Sequence, residues 1–398
     1  MKWGSALSVQ AETALAVSEA AAKVHEALDG QSADLLVVFA APQHREARYR
    51  LPRLLQAEFP GALIFGCTGG GIVGGGGSLE NDSREIERQV ALSVTAASLP
   101  GVRLQPFHFE LDQGPQNAEA WTERLGTAPQ DFLLLPDPFS CDIEQLLSTL
   151  DAAYPTARKV GGVASGGRGA GGNSLFLDDE VHRSGVIGLA LSGDVTMDTL
   201  VAQGCRPIGT PLITTRCENN LLLELNGQPA LQVLRELFEG LSAEEKELFR
   251  SSLFLGTQMK DDQLEYHQGD FLIRNLMGLL PERNAVVVGA QLVPYQAVQF
   301  HLRDANTSAE DLREHLKAQT QRNQKQGTKH VGGLLFSCLG RGEGLYGVPD
   351  HDSRLIQEYL GPLPLGGFFC NGEIGPVGDQ TFLHGYTSSV ALFRPRTG

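Results

Sequence analysis

The chain has 398 residues, 41% of them hydrophobic, which is enough for two or three packed domains and more than a single core usually holds. The formal net charge is −15 and no block of Lys or Arg compensates for it, which argues against binding to nucleic acid or to an anionic membrane through bulk electrostatics. No apolar stretch approaches the roughly 20 residues that a membrane-spanning helix needs. We therefore expect small molecules or proteins as partners.

The first part of the chain alternates predicted helices with predicted strands. The helices are Ser8–Leu28 and Arg45–Glu58, and a helix–strand–helix group spans Asn117–Ala153. Apolar runs predict the strands Leu35–Ala40, Ala62–Phe65, Val90–Ala97, Val102–Glu110 and Phe132–Pro136. The segment Gly69–Gly77, with seven glycines in nine positions, is interpreted as a mobile loop or a bulge-rich crossing.

Further along, the pattern changes to adjacent strands that resemble antiparallel pairs. They are Leu175–Leu177, Gly185–Ser192, Thr199–Gly204 and Pro211–Glu218. The sequence then restarts with the predicted helix Pro229–Glu239, whose proline suits a first helical turn. We place a boundary there, between a first domain of residues 1–225 and a second of residues 226–398.

The second domain again mixes strands with helices. The predicted strands are Ser252–Gly256, Phe271–Arg274, Ala285–Gly289, Ala297–Arg303 and Val331–Phe336, and the predicted helices are Ser308–Gln324 and Ser353–Tyr359. The fold class that this order predicts is α/β with α+β mixed character: two domains of mixed sheets with flanking helices.

One short pattern occurs three times: a helix-like run, a strand, a Gly-x-x-x-x-Gly motif and a further strand. The motifs are Gly66–Gly71, Gly162–Gly167 and Gly367–Gly372. Glycine at a strand end adopts positive φ and lets a ligand or another backbone approach closely, so the pattern predicts helix–strand–Gly-turn–strand units that superpose. Tight turns and packing alone would require the same glycines, and both interpretations stay open.

The cysteines are scattered along the chain without Cys-x-x-Cys spacing. They are Cys67, Cys141, Cys205, Cys217, Cys338 and Cys370. The N-terminus also lacks the charged-then-apolar order of a signal peptide. Together these features predict free thiols in a reducing cytoplasm.

The most distinctive polar run directly follows the predicted strand Val331–Phe336, and in it Arg341 stands between two glycines. A guanidinium fork on such an uncrowded chain suits a carboxylate or phosphate ligand. Glu373, which directly follows the third Gly motif, can bind a ligand amine, pair with Arg341 or cap backbone amides. The alternative is a structural ion pair of Arg341 with Glu343 or Glu373.

Two further residues accompany this run. Asn371 supplies an amide that tolerates left-handed geometry, and His384 stands at a predicted strand start. Since Arg341, Asn371, Glu373 and His384 all lie at the ends of apolar strands, we expect them to converge on one cleft. The role of His384 there, as a ligand contact or as a hydrogen-bonded structural residue, stays open.

The predicted strand Ala297–Arg303 alternates apolar and polar residues, which places His301 and Arg303 on one face. If that face lines a cleft, the two residues form a second candidate anion site. Otherwise they solvate the edge of a sheet.

Familiar catalytic motifs are missing from the sequence: a Gly-x-Ser-x-Gly elbow, a Walker Gly-Lys-Ser/Thr, a His-Glu-x-x-His and a Cys/His metal cluster. We therefore expect a non-catalytic protein. The alternative is an enzyme with Cys338 or Cys370 as its nucleophile, for which a markedly acidic, exposed thiolate would be the evidence.

The C-terminal motifs resemble those of the FIST family. They are Phe300–Ala305, Phe336–Gly342, Gly366–Pro376 and Leu383–Gly385. The segment from about Asp34 to Gly193, with its Gly motifs, resembles the N-terminal module of the same family, so the resemblance covers nearly the whole chain. The first Gly motif departs from the family pattern, because Ile72 follows it where Glu is usual.

The resemblance implies a stand-alone, bacterial-type sensory protein of the cell interior that binds a small ligand, with amino acids as the proposed class. Arg341, Glu373, Asn371, His384, Cys338, Cys370, His301 and Arg303 are the candidate ligand-binding residues. No F-box, kinase, receiver or cyclase segment fits beside the two modules, so a separate partner is expected to carry the output. No cofactor is expected, although a haem-binding branch of the family leaves His301 or His384 open as an axial ligand.

Overall fold

The chain divides into two units that are not consecutive in sequence. The computed structural model describes residues 1–77, 82–110, 113–260 and 265–396. The larger unit consists of Met1–Val201, Leu312–Leu383 and Thr387–Gly398, and the smaller of Ala202–Asp311 with His384–Tyr386. The predicted boundary near residue 226 divides the sequence into two modules, which are not the same as these two compact units, and it stays a prediction.

The larger unit begins with a βα repeat that ends at Ser98. Its elements are β1 (Lys2–Ser8), α1 (Thr13–Leu28), β2 (Leu35–Ala40), α2 (Ala47–Glu58), β3 (Leu63–Thr68), β4 (Gly71–Gly74), β5 (Arg84–Glu87) and β6 (Leu92–Ser98). Strands β2 and β3 are parallel, while β6 runs antiparallel to β2 and to β1. The predicted start of the first helix at Ser8 is wrong, because Ser8 ends a strand that pairs along its length with β6.

A second repeat follows with the same order of elements. It contains β7 (Val102–Phe109), α3 (Ala118–Leu125), β8 (Asp131–Pro136), α4 (Ile143–Ala153), β9 (Arg158–Gly162), β10 (Leu175–Leu177), β11 (Glu180–His182) and β12 (Val186–Gly193). Again β8 and β9 are parallel, and β12 lies antiparallel between β8 and β7.

The third repeat is interrupted in sequence by the smaller unit. It starts with β13 (Val195–Gln203), after which come β14 (Cys205–Glu218), β15 (Leu221–Leu225), β16 (Gln228–Pro229), α5 (Ala230–Gly240), α6 (Ala243–Ser252), β17 (Leu253–Gln258), β18 (Phe271–Leu280), a 3-10 turn (Pro281–Arg283), β19 (Ala285–Val288) and β20 (Ala297–Arg303). The repeat resumes with α7 (Ala305–Gln326), β21 (Gly332–Cys338), α8 (Glu343–Tyr346), α9 (His351–Leu360), β22 (Leu365–Cys370), β23 (Glu373–Val377), β24 (Gln380–His384) and β25 (Thr387–Pro395). The smaller unit is thus inserted between the first strand and the first helix of this repeat.

The repeats exchange hairpins in a cycle. Among the described residues, the strand orders of their sheets are β1-β6-β2-β3-β10-β11, β7-β12-β8-β9-β23-β24 and β13-β25-β21-β22-β4-β5. Each repeat therefore gives the hairpin after its second parallel strand to the sheet of another repeat: the first to the third, the third to the second, and the second to the first. No sheet of the larger unit is complete without a second repeat.

One glycine in each repeat permits a close approach of two parallel strands. A Cβ atom on Gly66, Gly161 or Gly367 would lie 1.8, 1.9 or 2.0 Å from a carbonyl oxygen of the neighbouring strand. Those oxygens belong to Val38, Leu134 and Leu335. The copies therefore align on Gly161 in the second repeat, one residue before the start of the predicted motif.

The connection after this glycine differs between the repeats. Gly367 faces Val73, seven positions after Gly66, and Gly161 faces Ile374, seven positions after Gly367. Gly66 faces Phe176, fifteen positions after Gly161. The first and third copies are short strand–turn–strand elements, and the second has a longer loop. Part of the predicted loop Gly69–Gly77 is a buried strand, β4, because it completes the sheet of the third repeat.

Aromatic side chains fill the space between the sheets of the larger unit. Phe39 stacks on Phe368 at 4.8 Å between ring centroids, and Phe336 meets Phe368 edge to face at 5.8 Å. The smaller unit has its own core, between a sheet of order β14-β20-β17-β18-β19-β15-β16 and helix α5. The predicted α/β class with mixed sheets is confirmed.

Replacing Gly161 by alanine should destabilise the protein by about 1–3 kcal/mol or more, since the added methyl group overlaps a backbone carbonyl that cannot turn away. Gly344→Ala is the control, because a Cβ atom there meets no atom within 4 Å. Urea unfolding curves of both variants measure the effect. Equal stability of the two variants would contradict the close-approach role of Gly161.

Candidate functional site

Arg341 lies in the loop that follows β21, at the carboxyl end of a parallel strand. It is fully buried, and its Nε and Nη2 atoms donate hydrogen bonds of 2.8 and 3.2 Å to the two carboxylate oxygens of Asp352. Asp352 lies in the first turn of α9. The sequence pattern missed this partner, although an Asp that follows His351 at a predicted helix start is a signal that could have suggested it.

Asp352 accepts several hydrogen bonds besides those from Arg341. Ser388 and Ser337 donate through their hydroxyls at 2.5 and 3.3 Å, and Nδ1 of His351 lies 2.9 Å from Oδ1. Burial alone would raise the pKa of Asp352, but the charge of Arg341 and these hydrogen bonds outweigh burial and hold the pKa well below its usual value. We call Arg341, Asp352, Ser337, Ser388 and His351 the Arg341 cluster.

The third nitrogen of the Arg341 guanidinium, Nη1, makes no hydrogen bond to Asp352. Within the described residues, Nη1 is buried and has no hydrogen-bond partner. The ring of Tyr346, on the short helix α8, lies 5.6 Å from the guanidinium carbon and stacks on His351. Buried donors in native proteins almost always bond to protein, water or ligand, so this nitrogen marks a place where a further acceptor would fit.

A hairpin from the first repeat adds acidic groups to the cluster. Glu85 on β5 is buried, accepts a hydrogen bond of 2.6 Å from the amide of Ser353, and donates its own amide to Asp350 at 2.6 Å. Burial, and then the charge of Asp352, raises the pKa of Glu85 to about 8. Glu87 on the same strand accepts the amide of Glu343 at 2.7 Å.

Glu373 and its neighbours lie where β22 leads into β23. Glu373 is fully buried, and its Oε2 accepts hydrogen bonds from the amide and the hydroxyl of Thr387 at 3.0 and 2.8 Å. The Asn371 side chain is exposed, and its backbone amide donates to Val163 of the second repeat at 3.1 Å. The turn thus connects two repeats through its backbone and leaves the Asn371 side-chain amide to solvent.

The two candidate thiols lie side by side on neighbouring strands. Cys338 and Cys370 are register partners of the parallel pair β21 and β22. Cys338 is half-buried and Cys370 is buried. Burial, and then the charge of Glu373, raises the pKa of the Cys370 thiol well above its usual value.

The remaining candidates belong to the smaller unit. His301 is buried against Phe271, its Nδ1 lies 3.0 Å from the carbonyl oxygen of Gln299, and burial lowers its pKa to about 4 although that hydrogen bond acts in the opposite direction. Arg303 lies 5.0 Å from the ring centre of Tyr386, and within the described chain its buried Nε and Nη2 atoms have no hydrogen-bond partner. His384 is buried and belongs to the same unit. The predicted convergence of His384 with Arg341, Asn371 and Glu373 stays a prediction.

Metal sites and membrane spans are both missing from the described parts of the chain. No group of three or more His, Cys, Asp or Glu side chains is arranged there to hold a metal ion. None of the helices there has the length and apolar character of a membrane span.

Comparison with known proteins covers almost the whole chain. A family model described as the FIST N domain matches residues 34–228, and one described as the FIST C domain matches residues 230–376. The uncharacterized protein Rv0628c of Mycobacterium tuberculosis is 38% identical over 394 residues, which cover 99% of this chain and 100% of that protein. The uncharacterized protein Mb0898c of Mycobacterium bovis is 37% identical over 395 residues, 99% of each chain. The F-box/LRR-repeat protein At5g63520 of Arabidopsis thaliana is 31% identical over 121 residues, 27% of this chain and 23% of that protein.

Removing the Arg341 side chain should destabilise the larger unit by about 3–5 kcal/mol, because Asp352 would be left charged and buried without its counter-ion. Thermal and urea unfolding of Arg341→Ala measure this loss. Arg50→Ala is the control, since Arg50 forms only an exposed ion pair with Glu46. Such a pair contributes about 0.3–0.5 kcal/mol. If both variants unfolded like the parent protein, the ion pair with Asp352 would have no structural role.

The raised pKa of Glu85 predicts that the protein loses stability as pH rises from about 4.5 to about 8. Between its unfolded pKa near 4.5 and its folded pKa of about 8, the folded protein holds a proton that the unfolded chain has lost. The free energy of unfolding should therefore fall as pH rises through this window, by about 1.4 kcal/mol for each pH unit.

Glu85→Gln should flatten this part of the curve, because the amide keeps an acceptor for Ser353 and does not ionise. Unfolding free energies measured across the window, for this variant and the parent, provide the test. Parallel curves for the two proteins would show that Glu85 is not the group responsible.

Proposed function

The chain belongs to the FIST family through both its N and its C domain, and from that membership we propose that it is a non-catalytic sensory protein that binds a small ligand. FIST domains are associated with sensing in signal transduction. The finer parts of the proposal are the binding site, the class of ligand and the absence of catalysis. The geometry of the larger unit supports each of them.

The observation that carries the proposal is the unpartnered Nη1 of Arg341. Asp352 occupies only the Nε and Nη2 side of the guanidinium, so two N–H groups point elsewhere in a buried environment. A buried donor without a partner costs about 1–3 kcal/mol, and more for a charged group. A ligand oxygen at this nitrogen would recover that free energy.

The position of Arg341 supports the same conclusion. Ligands of α/β sheets bind beyond the carboxyl ends of the parallel strands, and Arg341 follows such an end, that of β21. Nη1 is buried, so a ligand reaches it only when residues around it move, and α8 is the element that we propose to move because its Tyr346 ring lies 5.6 Å from the guanidinium carbon. Binding would then favour a displaced position of α8, which gives the protein the two states that a sensor needs.

The chemistry of the cluster favours a ligand with a carboxylate group. A guanidinium nitrogen donates most strongly to an anionic oxygen. The hydroxyls of Ser337 and Ser388 already donate to Asp352, so Nη1 of Arg341 is the donor that a ligand carboxylate would use. Amino acids and related organic acids are the class that we propose. The output would be read by a separate protein that recognises the position of α8.

The thiols support a non-catalytic role. A nucleophilic cysteine needs a lowered pKa, whereas burial raises the pKa of Cys370. The alternative, an enzyme that uses Cys338 or Cys370, predicts rapid alkylation by iodoacetamide below pH 7 at one of these thiols. Slow alkylation that rises only at alkaline pH would support the proposed role.

The test is a thermal-shift screen with the amino acids and small dicarboxylic acids on the parent protein, Arg341→Lys and Arg394→Lys. A ligand at 100 times its Kd stabilises the folded state by about 2.7 kcal/mol, so a true ligand should raise the Tm of the parent clearly. Arg341→Lys keeps the charge and loses the fork, and we expect its ligand-induced rise in Tm to vanish. Arg394→Lys is the matched control, because it changes a partly buried ion pair with Asp198 in the same unit.

Two results would contradict the proposal. If none of the amino acids and dicarboxylic acids raised the Tm of the parent protein, the proposed class of ligand would be wrong. A compound that stabilises Arg341→Lys as strongly as the parent would remove Arg341 from the binding site.

A further inference from the structure

A cavity of about 520 Å³ lies in the larger unit at the amino ends of β8 and β9. The residues that matter in its lining are Asp131, Thr156, Arg158, Thr196 and Arg396. This is the opposite edge of the sheet from the glycine turns, so the cavity is independent of the Arg341 cluster. Its volume is in the range of small-molecule sites.

Two guanidinium groups face this cavity. The Arg158 side chain is 43% exposed, donates through Nη1 to the carbonyl oxygen of Met197, and lies 3.6 Å from Asp198. That contact uses one side of the fork and leaves Nη2 for another acceptor. Arg396 is exposed at the end of the described chain and approaches Asp131 closely enough to interact electrostatically.

The repeats show that the fold does not require charges here. Asp131 and Arg158 are register partners, and in the first repeat the equivalent pair is Leu35 and Leu63. In the third repeat the equivalent residues are Gly332 and Pro364. Each pair lies three residues before the close glycine contact of its repeat. The strand pair itself thus forms without a carboxylate and a guanidinium at these positions. In the second repeat Asp131 accepts backbone hydrogen bonds from Met197 and Arg158. The Arg158 side chain in turn contacts Met197 and Asp198, so the charged pair also joins β9 to β13.

We propose that this cavity is a second ligand site, for a small dianion of carboxylate or phosphate type, held by Arg158 and Arg396 with the hydroxyls of Thr156 and Thr196. Paired guanidinium groups beside hydroxyl donors are the recognition chemistry of such anions.

Asp131 makes the site sensitive to pH. It is 5% exposed, and burial raises its pKa to about 7, although the charge of Arg158 acts in the opposite direction. The charged groups around it are Arg158 and Lys159 on β9, Arg396 near the C-terminus, and Asp198 behind Arg158. When Asp131 takes up a proton, the arginines lose a negative neighbour, so an anion should bind more tightly below neutral pH.

The experiment uses sulfate and oxalate as probes, since both stay dianionic from about pH 6 to about pH 8. Isothermal titration at these two pH values and constant chloride should give tighter binding at the lower one, about fivefold if the bound anion raises the pKa of Asp131 from about 7 to about 8. Asp131→Asn should bind with equal affinity at both. Arg158→Leu and Arg396→Ala should each weaken binding tenfold or more.

The chain supplies its own folding control. The double variant Asp131→Leu with Arg158→Leu copies the pair of the first repeat, so it should still unfold in one cooperative transition, at a lower Tm because its contacts with Met197 and Asp198 are lost, and should not bind the anion. Arg50→Ala removes an exposed arginine elsewhere and should bind like the parent. Tighter binding of sulfate than of oxalate would support a phosphate-type ligand. Tighter binding of oxalate would support a carboxylate.

Two outcomes would overturn the inference. Undiminished sulfate and oxalate binding by Arg158→Leu and Arg396→Ala would place the anion elsewhere. An affinity of the parent protein that does not change with pH would remove Asp131 from the site. The ligand of the Arg341 cluster is assayed separately with Arg341→Lys, so the result for one proposed site does not decide the result for the other.

Discussion

The larger unit depends on one constraint, the close approach of paired parallel strands at Gly66, Gly161 and Gly367. A side chain at any of these positions would overlap a carbonyl oxygen of the adjoining strand. Just beyond each glycine the chain leaves its own sheet and adds a hairpin to another. The glycines therefore lie where each repeat both closes its own parallel pair and accepts a hairpin from another repeat, and the aromatic core forms between the sheets that this exchange holds together.

The exchange also determines which charged groups meet. Glu85 and Glu87 come from the first repeat, yet they contact Ser353 and Glu343 of the third, because hairpin β4–β5 belongs to the third sheet. The Arg341 cluster is therefore flanked by acidic groups from the N-terminal part of the chain. The pKa values of two buried carboxyl groups here move in opposite directions. The charge of Arg341 and several hydrogen bonds lower the pKa of Asp352 against the effect of burial, while burial and the charge of Asp352 raise the pKa of Glu85.

Three repeats with the same strand order carry different chemistry. The third has the arginine cluster at the carboxyl ends of its strands and the inserted smaller unit. The second has a longer glycine-rich connection and the charged pair Asp131 and Arg158 at the amino ends. The first holds apolar residues at that pair. At the amino-end pair the first repeat has apolar residues where the second has a carboxylate and a guanidinium, so the charged pair is specific to the second repeat.

The sequence by itself determined the apolar strands, the α/β class and the family. A run such as Leu35–Ala40 has few alternatives to a buried strand, and the family motifs are local. Only the tertiary structure decided the hairpin exchange, the alignment on Gly161 and the partner of Arg341, because each depends on contacts between segments far apart in the chain. The local pattern places Ser8 in a helix for the same reason, since β1 exists only through its pairing with β6. Asp131 and Arg158 carry no signal in the sequence, because their meaning comes from register partners that only the folded sheet brings together.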